Sequence, residues 1–170
     1  MAQAIESFWA VGATEQSRKF ALNALELGWK VFPEFISEKC SDETAQQFIE
    51  AANQAGKAIN ISKTTAAHAW SYALTSLKDI PHGHAVWLTL PMIFELHYQR
   101  SNDSNPELAM KMDKLCQVLN LDPISEKSSQ LRKYLSVFGI LYDFSDLDIG
   151  VSERSFLSRS VNMERMKNNP

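Results

Sequence analysis

The sequence predicts an all-α protein, a bundle of several helices in one domain. Apolar residues recur at helical spacings of three and four, whereas the period-2 alternation that is typical of strands is rare. Glycine and proline number only six each. A length of 170 residues favours a single domain, expected to span residues 1–170, and a hydrophobic share of 45% is ordinary for a globular chain.

The first two long helices are predicted after Thr14 and from Ser41, whose side chain is expected to cap the second helix. The apolar stripe of the first comprises Phe20, Ala24, Leu27, Val31 and Phe35. That of the second comprises Ala45, Phe48, Ala52 and Ile59.

The central segment predicts two helices joined by a break at residues 79–81. The first runs over residues 64–78. The second starts near His82 and runs toward Arg100, with an expected kink at Pro91. Since residues 85–94 are apolar on nearly every side, this second helix is expected to be central to the bundle.

Three further helices follow. Asn105, Pro106 and Glu107 predict a helix start, and Leu108, Met112, Leu115 and Leu119 supply its apolar face. Residues 125–138 predict the next helix, and a shorter one is expected from near Ser152.

Composition and charge exclude several classes of protein. Lys plus Arg number 17 and Asp plus Glu number 20, so the net charge is −3 and the basic footprint of a nucleic-acid-binding protein is absent. The longest apolar run, residues 85–94, is too short to span a bilayer, and residues 1–6 lack the features of a signal peptide. The two cysteines make neither a disulfide framework nor a CxxC site, so a reduced cytoplasmic protein is expected.

Two histidines are the candidate metal ligands. His68 and His82 lie fourteen residues apart on helices that flank the break, so antiparallel packing brings both rings to one point. Imidazole binds both zinc and iron. At this spacing alone, a capping residue and a core residue are the more common interpretation, and two ligands are fewer than the three or four that metal sites draw from a protein.

The other polar candidates also have two interpretations. For Lys63, Thr64 and Thr65, capping by a threonine is favoured over facing a cleft, where the group would suit an anion. For His84, bonding to backbone or solvent is favoured over contact with a substrate, and Gly83 allows a close approach by backbone or ligand. His97 is expected at the surface. Trp9, Trp29, Trp70 and Trp87 are expected in the core or at an interface, and no phosphate loop, nucleophile elbow or catalytic triad pattern occurs.

Two segments make the chain resemble a known family. Residues 62–75 (SKTTAAHAWSYALT), followed by residues 80–86 (IPHGHAV), resemble the iron-containing alcohol dehydrogenases and their phosphonoacetaldehyde-reductase-like branch. In that family one histidine ligand lies on a helix and a second in a Pro-His-Gly elbow fourteen residues later, the positions of His68 and His82. Residues 2–9 resemble the end of the first ligand helix, and residues 161–170 resemble the closing segment.

The resemblance implies the C-terminal half of a two-domain enzyme. Its helical domain, of the kind shared with dehydroquinate-synthase-like proteins, holds a divalent metal, iron or zinc. An N-terminal α/β domain holds NAD(P), and a small alcohol or aldehyde binds between the two. The metal polarises the substrate oxygen as a Lewis acid, and the nicotinamide exchanges a hydride with the carbon.

The chain departs from this pattern at four points. No glycine-rich strand–turn–helix occurs, so the nucleotide-binding domain is expected to be absent. The aspartate ligand of the family would fall just upstream of Met1, Gln3 replaces a histidine ligand, and Tyr72 replaces another active-site histidine. Weak metal binding and little activity of the isolated chain are therefore expected.

Three functional hypotheses remain. The first is the metal-binding domain of an NAD(P)-dependent iron-containing alcohol dehydrogenase. The second is a non-catalytic helical interaction module derived from that domain, and the third and weakest is an enzyme of the dehydroquinate-synthase type. Since a domain that normally packs on a partner leaves apolar residues exposed, self-association into a homo-oligomer is also expected.

Overall fold

The computed structural model describes residues 1–139 and 144–170, without the side chains of residues 102–104, 145 and 146. Within these residues there are no strands, and the prediction of an all-α bundle is confirmed. The helices are α1 (Ala2–Trp9), α2 (Glu15–Phe35), α3 (Asp42–Ser62), α4 (Ala66–Lys78), α5 (His82–Ser104), α6 (Pro106–Val118), α7 (Lys127–Ser136), α8 (Val151–Arg159) and α9 (Met163–Lys167), with a 3₁₀ turn at Phe144–Leu147.

The short helix α1 lies in the main core. Ile5 and Trp9 are fully buried, and α1 contacts α2, α3, α5 and α6. The Trp9 ring meets the ring of Phe94 on α5 edge to face, with centroids 5.8 Å apart. Because most of its side chains are buried, α1 is held by packing rather than by its own eight residues.

Local signals start the long helices where the sequence predicts. Thr14 caps α2 through Ser17, Ser41 caps α3 through Thr44, and Asn105 caps α6. These caps satisfy backbone N–H groups that have no partner inside the helix.

The buried faces of α2 and α3 differ from the predicted stripes. The buried residues of α2 include Ala21, Ala24, Leu25 and Gly28, whereas Leu27 is 37% exposed. On α3 the buried residues are Thr44, Ala51, Ala55, Ala58 and Ser62. At Gly28 an added Cβ would lie 3.0 Å from the Cβ of Ala51, so the two helices pack closely through small residues. The predicted stripe of α3 was wrong by about one residue, since Ala52 is exposed and the neighbouring Ala51 is buried.

The apolar segment of α5 is central to the bundle, as expected. The four consecutive residues 85–88 are buried, as are Leu90 and Phe94. Within residues 85–94 only Met92 is exposed, at 52%, and Leu96 beyond this segment is 49% exposed. Over the described residues, no helix has the length and apolar character needed to cross a bilayer.

Candidate metal site and the adjoining pocket

The turn between α4 and α5 brings His68 and His82 together. Asp79 ends α4 in a left-handed conformation (φ 50°), and Pro81 precedes the start of α5. The two imidazole centroids lie 5.5 Å apart with the rings inclined at 61°. Metal–nitrogen bonds of about 2.0–2.1 Å in a tetrahedral site put two such centroids roughly 5 Å apart, so the spacing suits a shared ion.

Glu6 orients His68 from α1. Its side chain is fully buried, and Oε2 contacts Nδ1 of the His68 ring. This contact occupies Nδ1 and leaves Nε2 as the ring nitrogen that could bind an ion. Histidines that bind metals commonly give their second ring nitrogen to a carboxylate in this way.

The other oxygen of Glu6 caps α4. Oε1 accepts hydrogen bonds from the backbone N–H of Ala67 at 2.8 Å and of His68 at 3.3 Å, and from the hydroxyl of Thr65 at 2.8 Å. The favoured expectation that a threonine caps this helix was therefore wrong. The Thr65 side chain makes no cap bond and instead accepts a hydrogen bond from the indole of Trp9 at 2.8 Å.

Sequence reasoning missed Glu6 as a functional residue. The available signal was an acidic residue on the apolar helix that resembles the family's first ligand helix. Because its partners lie about sixty residues further along the chain, nothing local showed what the carboxylate contacts.

His82 is half-buried at the start of α5 and stacks near Tyr72, with ring centroids 5.0 Å apart. Burial lowers the pKa of His82, and the nearby His68 and Arg165 lower it further. This direction favours the neutral imidazole that metal binding requires. The guanidinium of Arg165 lies 5.3 Å from the Tyr72 ring centre and donates a hydrogen bond to the Tyr72 hydroxyl at 3.1 Å.

The donor set fits a metal only in part. Within residues 1–139 and 144–170, no three side chains of His, Cys, Asp or Glu converge in a way that could hold an ion. Gln3 is partly buried on α1, and its amide oxygen is a weak donor. Two imidazoles are therefore the strong ligands that these residues offer.

The expectation that His97 lies at the surface was wrong. His97 is 3% exposed rather than at the surface: its ring centroid lies 4.6 Å from that of Trp9, and Nε2 meets the side-chain nitrogen of Asn169 at 2.9 Å. Burial, and secondarily Arg100, lower the pKa of His97 to about 4. At Gly83 an added Cβ would meet no atom within 4 Å, so no backbone among the described residues approaches this position.

His84 lies in the first turn of α5 and lines a mostly apolar pocket of about 230 Å³ with Trp29, Phe48 and Trp87. Of the four tryptophans, Trp9, Trp29 and Trp87 are buried, as expected, and Trp70 is partly buried.

A second pocket, of about 220 Å³, lies between the residues before α4 and the residues in and around α9, and is called here the tail pocket. Its lining residues are Lys63, Thr64, Asn162, Glu164, Arg165 and Asn168. Lys63 and Thr64 thus face a cavity, which was the less favoured interpretation of that segment.

Comparison with known proteins identifies relatives along the whole chain. The profile of the Fe-containing alcohol dehydrogenase family, C-terminal, matches residues 1–169. Phosphonoacetaldehyde reductase of Streptomyces viridochromogenes is 24% identical over 178 residues, which cover 100% of this chain and 44% of the relative. The 4-hydroxybutyrate dehydrogenase of Clostridium kluyveri is 29% identical over 101 residues, which cover 58% of this chain and 27% of the relative.

Solved structures share the fold. Sulfoacetaldehyde reductase from Bifidobacterium kashiwanohense, solved with NAD⁺, superposes with a TM-score of 0.84 and 27% identity over 99% of this chain and 43% of that one. An iron-containing alcohol dehydrogenase from Thermotoga maritima superposes with a TM-score of 0.80 and 24% identity, covering 99% and 42%. The chain therefore spans less than half the length of these relatives.

Proposed function

Because this chain belongs to the iron-containing alcohol dehydrogenase family, whose C-terminal profile matches residues 1–169, we propose that it is the metal-binding helical domain of an NAD(P)-dependent aldehyde reductase. In this proposal residues 1–170 form one domain, and the nicotinamide cofactor is held by a separate nucleotide-binding part. Relatives named for phosphonoacetaldehyde and sulfoacetaldehyde support a short aldehyde with an anionic group as the substrate. The free thiols Cys40 and Cys116 are consistent with a cytoplasmic location.

The observation that carries the proposal is the pair of converging imidazoles with a carboxylate behind one of them. His68 and His82 would hold the divalent ion, iron or zinc, each through one ring nitrogen. When bound, the ion polarises the substrate oxygen and stabilises its negative charge.

The surrounding residues of this chain position that pair. Glu6 fixes the ring of His68, and the packing of Tyr72 against the ring of His82 limits its rotation. Tyr72 offers a hydroxyl beside the site, already hydrogen-bonded to Arg165. With only two imidazoles among the strong ligands, binding of metal by this chain alone is expected to be weak.

The test is a titration of the purified chain with Co²⁺ and Zn²⁺, followed by absorption and by calorimetry. We expect one site per chain, and His68→Ala and His82→Ala should each weaken it at least about tenfold because each removes one of two strong ligands. His84→Asn is the matched control, since it removes an imidazole two residues from His82 that is not a proposed ligand. Equal affinity in the parent chain and both alanine variants would refute the assignment.

A further inference from the structure

We propose that Arg165 and Lys63, together with the hydroxyl of Thr64, form an anion subsite in the tail pocket. The subsite takes the tetrahedral oxyanion, a phosphonate or sulfonate, of a short substrate whose other end reaches the ion held by His68 and His82. The proposal rests on the proposed function and names the residues that would recognise the anionic group.

The chemistry of the tail pocket favours an anion. Arg165 and Lys63 are two cations on its lining, and Glu164 is the one acidic residue there. Within the described part of the chain, neither cation forms an ion pair with a carboxylate, and Nζ of Lys63 donates one hydrogen bond, to the carbonyl of Asn60 at 3.3 Å. The guanidinium of Arg165 donates one N–H to the Tyr72 hydroxyl, and its other N–H groups remain available to an oxyanion.

Thr64 adds an independent observation. Its side chain is 2% exposed, yet Oγ1 has no hydrogen-bond partner among the described residues. Buried hydroxyl groups are nearly always hydrogen-bonded, so an orphan on the wall of a cationic pocket indicates a missing partner. An oxygen of the anion would accept a hydrogen bond from the Thr64 hydroxyl.

The backbone at this wall is also constrained. Lys63 has φ 62° and ψ −178°, a region that almost only glycine adopts and that occurs where surrounding structure holds a ligand-binding segment. Asn168 fixes the wall: its Nδ2 donates to the carbonyls of Ser62 at 2.8 Å and Thr64 at 3.1 Å, and its Oδ1 accepts from the N–H of Gly12 at 2.8 Å. The pocket is therefore held in shape before any ligand binds.

The tail pocket is linked to the candidate metal site through Tyr72. Arg165 lies over one part of the Tyr72 surface, with 5.3 Å between the guanidinium carbon and the ring centre. The ring of His82 lies 5.0 Å from the same ring. The Tyr72 side chain therefore contacts both a cation of the tail pocket and an imidazole of the candidate metal site.

The experiment is an NMR titration of the metal-free, ¹⁵N-labelled chain with methylphosphonate, and in a second arm with methanesulfonate. We expect saturable shifts of the Thr64 amide and of the Arg165 side chain for at least one of the two anions, and the stronger arm identifies the preferred group. Arg165→Gln should weaken binding about tenfold or more because it removes charge-assisted hydrogen bonds. Lys167→Gln is the matched control, since it makes the same charge change at an exposed position of α9 and should alter affinity less than twofold.

Lys63→Gly separates binding from folding. Glycine relieves the backbone at this position, so the melting temperature should rise by about 2–4 °C while anion binding weakens. Absence of saturable binding to the parent chain, or an equal loss in Arg165→Gln and Lys167→Gln, would overturn the proposal. Because no metal is present in these titrations, that failure would leave the Co²⁺ and Zn²⁺ results for His68 and His82 unaffected.

Discussion

Glu6→Gln is the sharpest test of how the candidate metal site is built. The glutamine keeps the shape of the side chain, and its carbonyl oxygen can still accept from Thr65, Ala67 and His68. The other oxygen becomes an NH₂ group that faces Nδ1 of His68. An NH₂ group donates only, so the imidazole must turn Nδ1 into an acceptor and carry its proton on Nε2. That tautomer cannot offer Nε2 to a metal.

The magnitudes follow from these contacts. Hydrogen bonds to a charged group contribute about 1.5–3 kcal/mol each and bonds between neutral groups about 0.5–1.5 kcal/mol. The substitution makes the accepting group neutral, so each hydrogen bond that the Glu6 side chain accepts becomes weaker. Removing a buried charge recovers part of that loss, which leaves a destabilisation of about 1–3 kcal/mol. For a chain of this size the melting temperature should fall by roughly 3–10 °C. Loss of the orienting carboxylate should weaken metal binding about 10–100-fold.

The assay pairs thermal unfolding with the Co²⁺ titration on the same samples. Glu26→Gln serves as the control because it makes the same chemical change at an exposed position of α2 and should alter neither quantity. If Glu6→Gln bound Co²⁺ as tightly as the parent chain, the carboxylate would have no role in presenting His68. If it also melted at the parent temperature, the capping of α4 by Glu6 would be refuted as well.

Three further outcomes are expected. Because the pKa of His97 is about 4 in the fold and 6.5 in the unfolded chain, the unfolded chain gains its proton first as the pH falls. The free energy of unfolding should therefore decrease by up to about 3 kcal/mol between pH 6.5 and 4. Urea unfolding over this pH range should show a smaller decrease for His97→Gln than for the parent chain. An equal dependence of stability on pH in the two proteins would contradict this. With iron or zinc, NADH and short aldehydes, the chain alone should give no metal-dependent oxidation of NADH, and clear turnover would disprove that. The exposed Met92 and Leu96 should cause self-association, and a monodisperse monomer in sedimentation at tens of micromolar would count against it.

Local chemistry made much of the fold predictable. The caps Thr14, Ser41 and Asn105 bond to residues within three positions, so their role can be found without tertiary information. The break at residues 79–81 also ends one helix and starts the next where expected. The sequence also predicted that His68 and His82 meet, and the structure places their ring centroids 5.5 Å apart.

Burial was less predictable, because it depends on which neighbour each helix meets. Leu27 is a large apolar residue and yet is 37% exposed, whereas Gly28 lies in the tight contact with α3. His97 has polar neighbours in sequence and is buried, because Trp9 of α1 packs against its ring. Residue type alone does not distinguish these cases.

The helical class, most helix starts and the two histidines on either side of a proline turn could all be found in the amino-acid sequence, because each depends on backbone preferences and spacing within about twenty residues. The contact of the Glu6 carboxylate with His68 and the contact of Arg165 with Tyr72 could be found only in the folded chain. The first contact joins residues that are 62 positions apart in the sequence, and the second joins residues that are 93 positions apart. The packing of whole helices brings these residues together, and no local pattern could reveal it.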